Sequence, residues 1–315
     1  MKEKSVFLTI LSIRIAEKEI EDRKMTEKFI GLIGGTGLGG ALGEHISDPE
    51  TRRINTPFGK PSGDILVGSI GNNRIAFINR HGAGHEFNPS CVPYAANIYA
   101  LKQLGVTAVI ASGAVGSLQE QIKPKELVVV DQIIDKTFKR QTTFFDDYGA
   151  VHCELAQPYC GRLRKALIAA SANIETTTHE NGTYVCMEGP QFSTRAESLM
   201  HRKWGADLIG MTAMPEAKLA REAQMCFVLV ALISDYDCWR EQEANKDKQT
   251  LLAEIIGNVQ AATNNAIELI KAMLETDGDL CSDDCPCRKS LELAVWTEAE
   301  EIDEKHNEMM KILKR

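Results

Sequence analysis

The sequence lacks long apolar runs, aromatic residues are scarce, and positive charge is not in excess. No apolar stretch approaches the roughly 18 residues typical of a membrane-spanning helix, so we expect no transmembrane segment and no membrane partner. Aromatic residues make up only 6% of the chain. Acidic side chains outnumber basic ones by 44 to 36, and the formal net charge of −8 argues against a nucleic-acid partner.

The sequence also lacks the cysteine pattern of a disulfide-bonded secreted protein. Its nine cysteines are an odd number and lie mostly in apolar stretches, which is typical of reduced core residues in a cytoplasmic protein. Cys281, Cys285 and Cys287 form one local group, for which zinc, a redox pair and unpaired thiols are the alternatives. No fourth zinc ligand is evident, which favours the thiol alternatives.

The length of 315 residues suits one large domain with extensions. We predict an N-terminal extension over residues 1–29, because a weak apolar segment without a convincing cleavage site is followed by a densely charged one. The main domain is predicted over residues 30–275. A cysteine-containing segment and a helix would follow over residues 276–315.

Short apolar segments alternate with amphipathic ones through the main domain, which predicts the α/β class. Phe29–Ile33, Val106–Ser112 and Cys226–Ile233 have the pattern of buried strands. Residues 248–274 have the pattern of a long final helix. The irregular stretch 135–158 is long for a loop, which favours a functional role.

Several predicted strands end in residues suited to holding an anion. Gly34-Gly-Thr-Gly37 and a predicted loop over residues 113–117 would expose backbone N–H groups, and Arg80-His81 would add charged and polar donors. A dinucleotide site is an alternative, but the expected G-x-G-x-x-G spacing and the acidic residue of the next strand are missing. A metal at the histidines is another, with weak ligand spacing.

The strand Cys226–Ile233 is followed by Ser234-Asp235-Tyr236-Asp237. If the extended geometry persists, both aspartates point to the same side at the carboxyl end of the strand, where α/β sheets bind ligands. Two neighbouring carboxyl groups beside an apolar wall resist joint ionisation. We therefore expect a raised pKa for at least one of them and a capacity to donate a proton. A solvated turn is the alternative.

The sequence resembles the methylthioadenosine phosphorylases of the trimeric purine nucleoside phosphorylase family over residues 29–275. The motifs that carry the resemblance are Gly34–Gly37, Thr56–Ser62, Arg80–Gly82, Glu188–Glu197, Met211–Thr212 and Ser234–Trp239. The resemblance implies a single-domain phosphorylase/hydrolase-like fold with a central mixed β-sheet flanked by helices. It also implies a pentosyltransferase that uses purine nucleoside and inorganic phosphate, needs no metal or organic cofactor, and forms a homotrimer or a dimer of trimers.

The resemblance assigns roles to individual residues. Phosphate would be bound by Thr36, Arg80, His81, Ala114 through its backbone, and Thr212. Ribose and base would be bound by Phe192, Ser193, Met211, Asp235 and Asp237, with the two aspartates as the catalytic pair. A 5′-methylthio pocket would be formed by Leu251 and Leu252, for which a place in the core is the alternative, with His152 contributed across a subunit interface.

The acidic pair favours a 6-amino purine, because a carboxylate can accept hydrogen bonds from the adenine N6 amino group. We therefore predict phosphorolysis of 5′-methylthioadenosine, with a 6-oxopurine or methylthioinosine phosphorylase as the alternative. A non-enzymatic nucleoside-binding protein is a second class of function. The Cys285-Pro-Cys287 segment resembles a terminal C-x-C that forms a disulfide in some archaeal members.

Overall fold

A computed structural model of the chain describes residues 29–35, 38–240, 247–276, 280, 282–298 and 304–315. The predicted extension up to residue 28 lies outside the described residues, as do Thr36, Gly37 and Cys281. The strands are β1 (Phe29–Gly34), β2 (Ser47–Arg52), β3 (Ile65–Ile70), β4 (Asn73–Asn79), β5 (Ala108–Ser117), β6 (Leu127–Val129), β7 (Gln132–Lys136), β8 (Thr178–His179), β9 (Thr183–Met187), β10 (Leu208–Gly210) and β11 (Cys226–Tyr236). The helices are α1 (Leu38–Gly43), α2 (Tyr94–Gln103), α3 (Gly161–Ala170), α4 (Arg195–Lys203), α5 (Ala213–Glu222), α6 (Lys248–Leu274) and α7 (Glu304–Leu313).

The strands form one mixed sheet, which confirms the predicted fold class. Its main path runs β2-β3-β4-β1-β5-β10-β9-β7, and β11 joins β5 to β6, which in turn pairs with β8. The β1–β4, β1–β5 and β5–β11 pairs are parallel, whereas β2–β3, β3–β4, β5–β10 and β6–β11 are antiparallel. Among the described helices, none has the length and apolar character needed to cross a membrane.

Strand β5 is the point where the sheet divides. On one edge it pairs with β1 through residues 108–111 and with β10 through residues 116 and 117. Between these contacts, residues 112–115 have no partner strand on that edge among the described residues. Backbone N–H and C=O groups need hydrogen-bond partners, so this gap is a natural place for a ligand to contact the main chain.

The predicted loop over residues 113–117 is therefore wrong, because these residues continue β5. Strand β11 pairs in parallel with β5 from Ala108 to Ser117 and keeps the glycine-containing segment extended. Its small side chains leave room beside the strand rather than forming a turn at its end.

The core lies on both faces of the sheet, with alternate residues of β11 facing opposite sides. Phe227 and Leu229 pack into the cluster that contains α2 and α5, and Val228 and Val230 pack into the cluster that contains α3 and α6. Burial on both faces explains the uninterrupted apolar sequence of this strand. The apolar side chains of α7 reach the first cluster through Met309, Met310 and Leu313.

Candidate active site

A cavity of about 480 Å³ opens beside the gap in β5 and is bordered by the carboxyl ends of β4, β9, β10 and β11. This volume is in the range of small-molecule binding sites. Nine of the residues proposed from the sequence line it: Arg80, His81, Ala114, Phe192, Ser193, Met211, Thr212, Asp235 and Asp237. The anion-binding and acidic groups therefore face one shared space.

The acidic side of the cavity is built by the end of β11. A register shift between Ile233 and Asp235 interrupts the pairing with β5, so the last residues of the strand no longer follow the regular alternation. Asp235 is largely buried, and burial is the main reason why its pKa is raised, with the charge of Asp237 adding to the effect. The direction of this pKa shift is the one expected from the sequence.

A hydrogen bond donated by Ser234 lowers the pKa of Asp235 against the effect of burial, whereas the reverse bond requires a protonated Asp235. The Ser234 hydroxyl oxygen lies 3.0 Å from the Val115 carbonyl oxygen and 2.6 Å from Asp235 Oδ1. This hydroxyl has one hydrogen and cannot donate to both oxygens at once. Because the carbonyl can only accept, both contacts are satisfied when Ser234 donates to Val115 and a protonated Asp235 donates to Ser234.

Asp237 offers the complementary property, an acceptor without a partner. Its backbone N–H donates to the Ser117 carbonyl at 3.0 Å, which fixes the residue against the end of β5. Its Oδ2 atom is buried, and no hydrogen-bond donor within the described part of the chain reaches it. A buried acceptor left unpaired costs about 1–3 kcal/mol, so a ligand N–H at this position would be stabilised.

The opposite side of the cavity contains a buried ion pair. Arg80 Nε and Nη2 donate to the two carboxylate oxygens of Glu216 at 2.6 and 2.9 Å, and Nη1 donates to the Ser112 carbonyl at 2.7 Å. Both side chains are fully buried. These three bonds leave two of the five guanidinium N–H groups for other partners, and Nη1 lies beside Gly35 and Gly113.

His81 and Thr212 complete this side. His81 Nδ1 lies 2.8 Å from the Phe87 carbonyl oxygen, so it carries the hydrogen and leaves Nε2 as an acceptor in the neutral ring. Burial lowers the pKa of His81 to about 4. The hydrogen bond to Phe87 raises this pKa, and the charge of Arg80 lowers it further. Thr212 precedes α5, and its hydroxyl makes no capping bond to that helix.

A second buried ion pair, which the sequence pattern did not reveal, holds the strand ends in place. Arg140 Nη1 donates to the carbonyl oxygens of Met211 and Met214 at 2.6 Å each, Nη2 donates to the Glu188 carbonyl at 2.6 Å, and Nε lies 3.3 Å from the Glu188 carboxylate. Arg140 comes from the irregular stretch 135–158. Its contacts give that stretch a structural function beside the cavity.

Comparison with known proteins identifies the family. The phosphorylase superfamily profile matches residues 29–275. The S-methyl-5′-thioadenosine phosphorylase of Cereibacter sphaeroides is 44% identical over 269 residues, which cover 85% of this chain and 91% of that protein. The chain belongs to the methylthioadenosine phosphorylase family of the phosphorylase superfamily. The enzyme of the same name from Pyrococcus horikoshii is 49% identical over 68% of this chain and 81% of its own length.

Solved structures of this family have the same fold. A methylthioadenosine phosphorylase from an antarctic soil metagenomic library superposes with a TM-score of 0.81 and 40% identity, covering 90% of this chain and 98% of that one. A variant of the Schistosoma mansoni adenosine/methylthioadenosine phosphorylase, solved in complex with methylthioadenosine, has a TM-score of 0.70 and 34% identity. The superposition with this variant covers 80% of the present chain and 93% of the Schistosoma mansoni chain.

The structure differs from the predicted phosphorylase site at the helix bordering the cavity. Ile255 and Val259 of α6 line the cavity, whereas Leu251 and Leu252, one turn earlier, do not. Leu251 shares a helical face with Ile255 and Val259 but lies about 6 Å further along the axis, so the first difference reflects where the cavity ends along α6. His152 does not line this cavity, and its predicted role across a subunit interface stays a prediction; its ring contacts that of Trp296 edge-on, with the ring centroids 5.3 Å apart. Thr36 lies outside the described residues.

Proposed function

We propose that this protein cleaves the N-glycosidic bond of 5′-methylthioadenosine with inorganic phosphate, releasing adenine and 5-methylthioribose 1-phosphate. The observation that carries the proposal is the shared cavity, with an anion-binding side around Arg80 and an acidic side at Asp235 and Asp237. Membership of the family supports the reaction class. The proposal includes no metal or organic cofactor in this reaction, because phosphate itself is the nucleophile.

Phosphate would be held in the gap of β5. The backbone N–H of Ala114, the Thr212 hydroxyl and the remaining Arg80 N–H groups are donors that border this space. His81 would accept a hydrogen bond at Nε2 from a protonated phosphate oxygen. Thr36, to which the family resemblance assigns phosphate binding, would belong to the same set. Because the Glu216 carboxylate already offsets the charge of Arg80, the Thr212 hydroxyl and the Ala114 N–H would also be needed to bind the anion.

The base would lie against the end of β11. As phosphate bonds to C1′, the bond from C1′ to N9 breaks and its electron pair moves onto the purine. Asp235 would donate its proton to N7, so that neutral adenine leaves. Asp237 Oδ2 would accept from the N6 amino group, which a 6-oxo purine lacks. The resulting preference is about tenfold to a hundredfold for a lost buried hydrogen bond.

The sugar would span the space between the two sides. Met211, Phe192 and Ser193 all border the cavity. Met211 would contact the ribose, and Phe192 and Ser193 would lie beside the base and sugar. Ile255 and Val259 would provide the apolar surface for the 5′-methylthio group. This assignment replaces Leu251 and Leu252.

A substrate panel tests the proposal. We expect adenine release from methylthioadenosine only when phosphate is present, and slower hypoxanthine release from inosine or methylthioinosine. Equal or faster release of hypoxanthine would assign the protein to the 6-oxopurine alternative. Calorimetric binding of nucleoside without base release in excess phosphate would indicate a binding protein instead.

We also propose that the enzyme acts as a homotrimer, or a dimer of such trimers, in the cytoplasm, where it would serve purine and methionine salvage. Phe192 borders the cavity yet is 86% exposed, and Leu252 and Ile256 on α6 are 58% and 60% exposed. Such exposed apolar side chains around a ligand site are typical of a surface that a partner covers. Light scattering should give three or six times the 34.8 kDa chain mass, and cell fractionation tests the location.

A further inference from the structure

Four cysteines that are distant in sequence meet at the amino-terminal end of β11, away from the cavity. Cys160 precedes α3, Cys226 begins β11, and Cys285 and Cys287 belong to the C-terminal segment. Their sulfur atoms all lie within 4.8 Å of one another, and all four residues are buried. Cys285 Sγ lies 3.8 Å from Cys160 Sγ and 3.5 Å from Cys226 Sγ.

These distances match a shared metal ion rather than disulfide bonds. A Zn–S bond of about 2.3 Å places the sulfurs of a regular tetrahedron about 3.8 Å apart. A disulfide requires an S–S distance of about 2.05 Å. Four thiolates in so small a tetrahedron enclose a single ion, whereas an iron–sulfur cluster spreads its cysteine ligands around several metal atoms.

We propose that Cys160, Cys226, Cys285 and Cys287 bind one tetrahedral transition-metal ion, with zinc as the expected occupant. Thiolate sulfur and tetrahedral geometry together select this class of metal. Binding converts the four thiols into thiolates, so the thiol protons pass to solvent and the ion replaces them. No change of oxidation state is involved.

The surroundings of Cys160 favour its thiolate form. Hydrogen bonds from the Cys226 and Cys287 thiols lower the pKa of Cys160 most, and burial opposes them, while the contact with Cys160 raises the pKa of Cys287 to about 12. Backbone N–H groups of Arg162 and Leu163, in the first turn of α3, lower it further. A helix N-terminus stabilises negative charge, which suits a ligand of a tetrathiolate site. The surrounding apolar cluster shields the sulfurs from solvent.

The proposed ion would be structural and not catalytic. Four protein ligands close a tetrahedral site and leave no position for substrate. Cys226 also lies nine residue positions from Asp235, or about 30 Å along β11. The ion would instead fasten the C-terminal segment to α3 and β11, three parts of the chain that sequence spacing does not connect. The proposal is independent of the reaction assigned to the cavity.

Metal analysis of the full-length chain tests the site. The protein would be purified under reducing conditions without chelators or a polyhistidine tag, then measured by elemental analysis and native mass spectrometry. We expect one zinc or iron ion per chain. Replacement by Co²⁺ should give the intense sulfur-to-cobalt charge-transfer absorption of a tetrahedral thiolate site.

Ligand variants provide the matched comparison. Cys285→Ser and Cys287→Ser should lower metal affinity by more than about tenfold, since even outer-shell changes reach that size. Cys91→Ser, at an exposed cysteine outside the cluster, should retain the ion. A chelator that removes the ion should lower the melting temperature of the wild type while leaving kcat at 25 °C unchanged as long as the chain is folded.

Thiol counting on the wild type keeps the test decisive if the variants fold poorly. When the protein is purified and denatured without reductant and in the presence of a chelator, a metal site leaves all nine cysteines open to alkylation. Two disulfides within the cluster would leave five. Five alkylated cysteines, or a reduced chain that takes up neither Zn²⁺ nor Co²⁺, would overturn the proposal.

Discussion

The two ends of β11 differ in nearly every property although a single strand connects them. At the amino-terminal end, Cys226 is enclosed by sulfur and apolar side chains. At the carboxyl end, Asp235 and Asp237 border an open cavity. The uninterrupted apolar stretch between them is buried on both faces of the sheet. We expect changes at the amino-terminal end to affect mainly stability and changes at the carboxyl end to affect mainly catalysis, so the two sets of effects should be separable.

The largest effect is expected from Asp235→Asn, which tests the open end alone. An amide has the shape of the acid but cannot supply its proton to N7, so kcat should fall by about 100- to 10,000-fold. The KM for phosphate and the melting temperature should stay near their wild-type values. Steady-state kinetics and calorimetry measure all three. An unaltered kcat would show that Asp235 is not the acid. A large loss of stability would contradict the expected separation of stability and catalysis between the two ends of β11.

Glu216→Gln is expected to be the exception at the open end, with an effect on both stability and binding. It leaves the buried Arg80 charge uncompensated, which should lower the free energy of unfolding by about 3–5 kcal/mol. The KM for phosphate should rise, because the orientation of Arg80 is lost.

Urea denaturation and phosphate titration measure the two effects. Asp64→Asn is the control, because its ion pair with Arg53 is exposed and should contribute about 1 kcal/mol or less. An equal loss in both variants would show that the Arg80–Glu216 pair has no special role.

Ile255→Ala tests which residues of α6 form the pocket for the 5′-methylthio group. Loss of apolar surface beside the 5′ group should lower kcat/KM for methylthioadenosine by about tenfold, with a smaller change for adenosine. Leu252→Ala, one turn earlier and outside the cavity, is the matched control and should leave this preference intact. If Leu252→Ala changes the preference more than Ile255→Ala, the 5′ pocket is formed by a surface that only an assembled oligomer completes.

The smallest effect is expected for His81 and concerns pH. Its pKa is about 4 in the folded protein and about 6.5 when unfolded. The folded protein therefore binds fewer protons between these values, and this contribution to stability is present above pH 6.5 and lost as pH falls toward 4. His81→Asn should show a shallower loss of unfolding free energy over this window. His45→Asn, at an exposed histidine, should follow the wild type, and parallel curves for all three would contradict the prediction.

The sequence predicted individual strands and helices better than it predicted which residues the fold brings into contact. The apolar run of β11 and the bounds of α6 were predictable because burial and helical periodicity act locally. The division of the sheet at β5 was not, since the glycines of residues 113–117 favour a loop until β11 is placed beside them. Ile255 was missed because the extent of the cavity along α6 depends on where the helix packs against the sheet.

Charged and sulfur-containing partners were the hardest to predict. Glu216 lies 136 residues from Arg80, and Cys285 lies 125 residues from Cys160. No spacing rule links residues at such separations, so only the topology reveals the buried ion pair and the four-cysteine cluster. Arg140 was hidden for the same reason within an irregular stretch.

The gap beside residues 112–115 arises from the course of the main chain, where β1 ends its pairing and β10 has not yet begun. Point substitutions exchange side chains and leave that course unchanged. During evolution, the acidic end could be altered to accept other bases while the opening for the nucleophile is inherited intact. Proteins that descend from this fold would therefore differ in the nucleoside that they cleave and would share phosphate as the nucleophile.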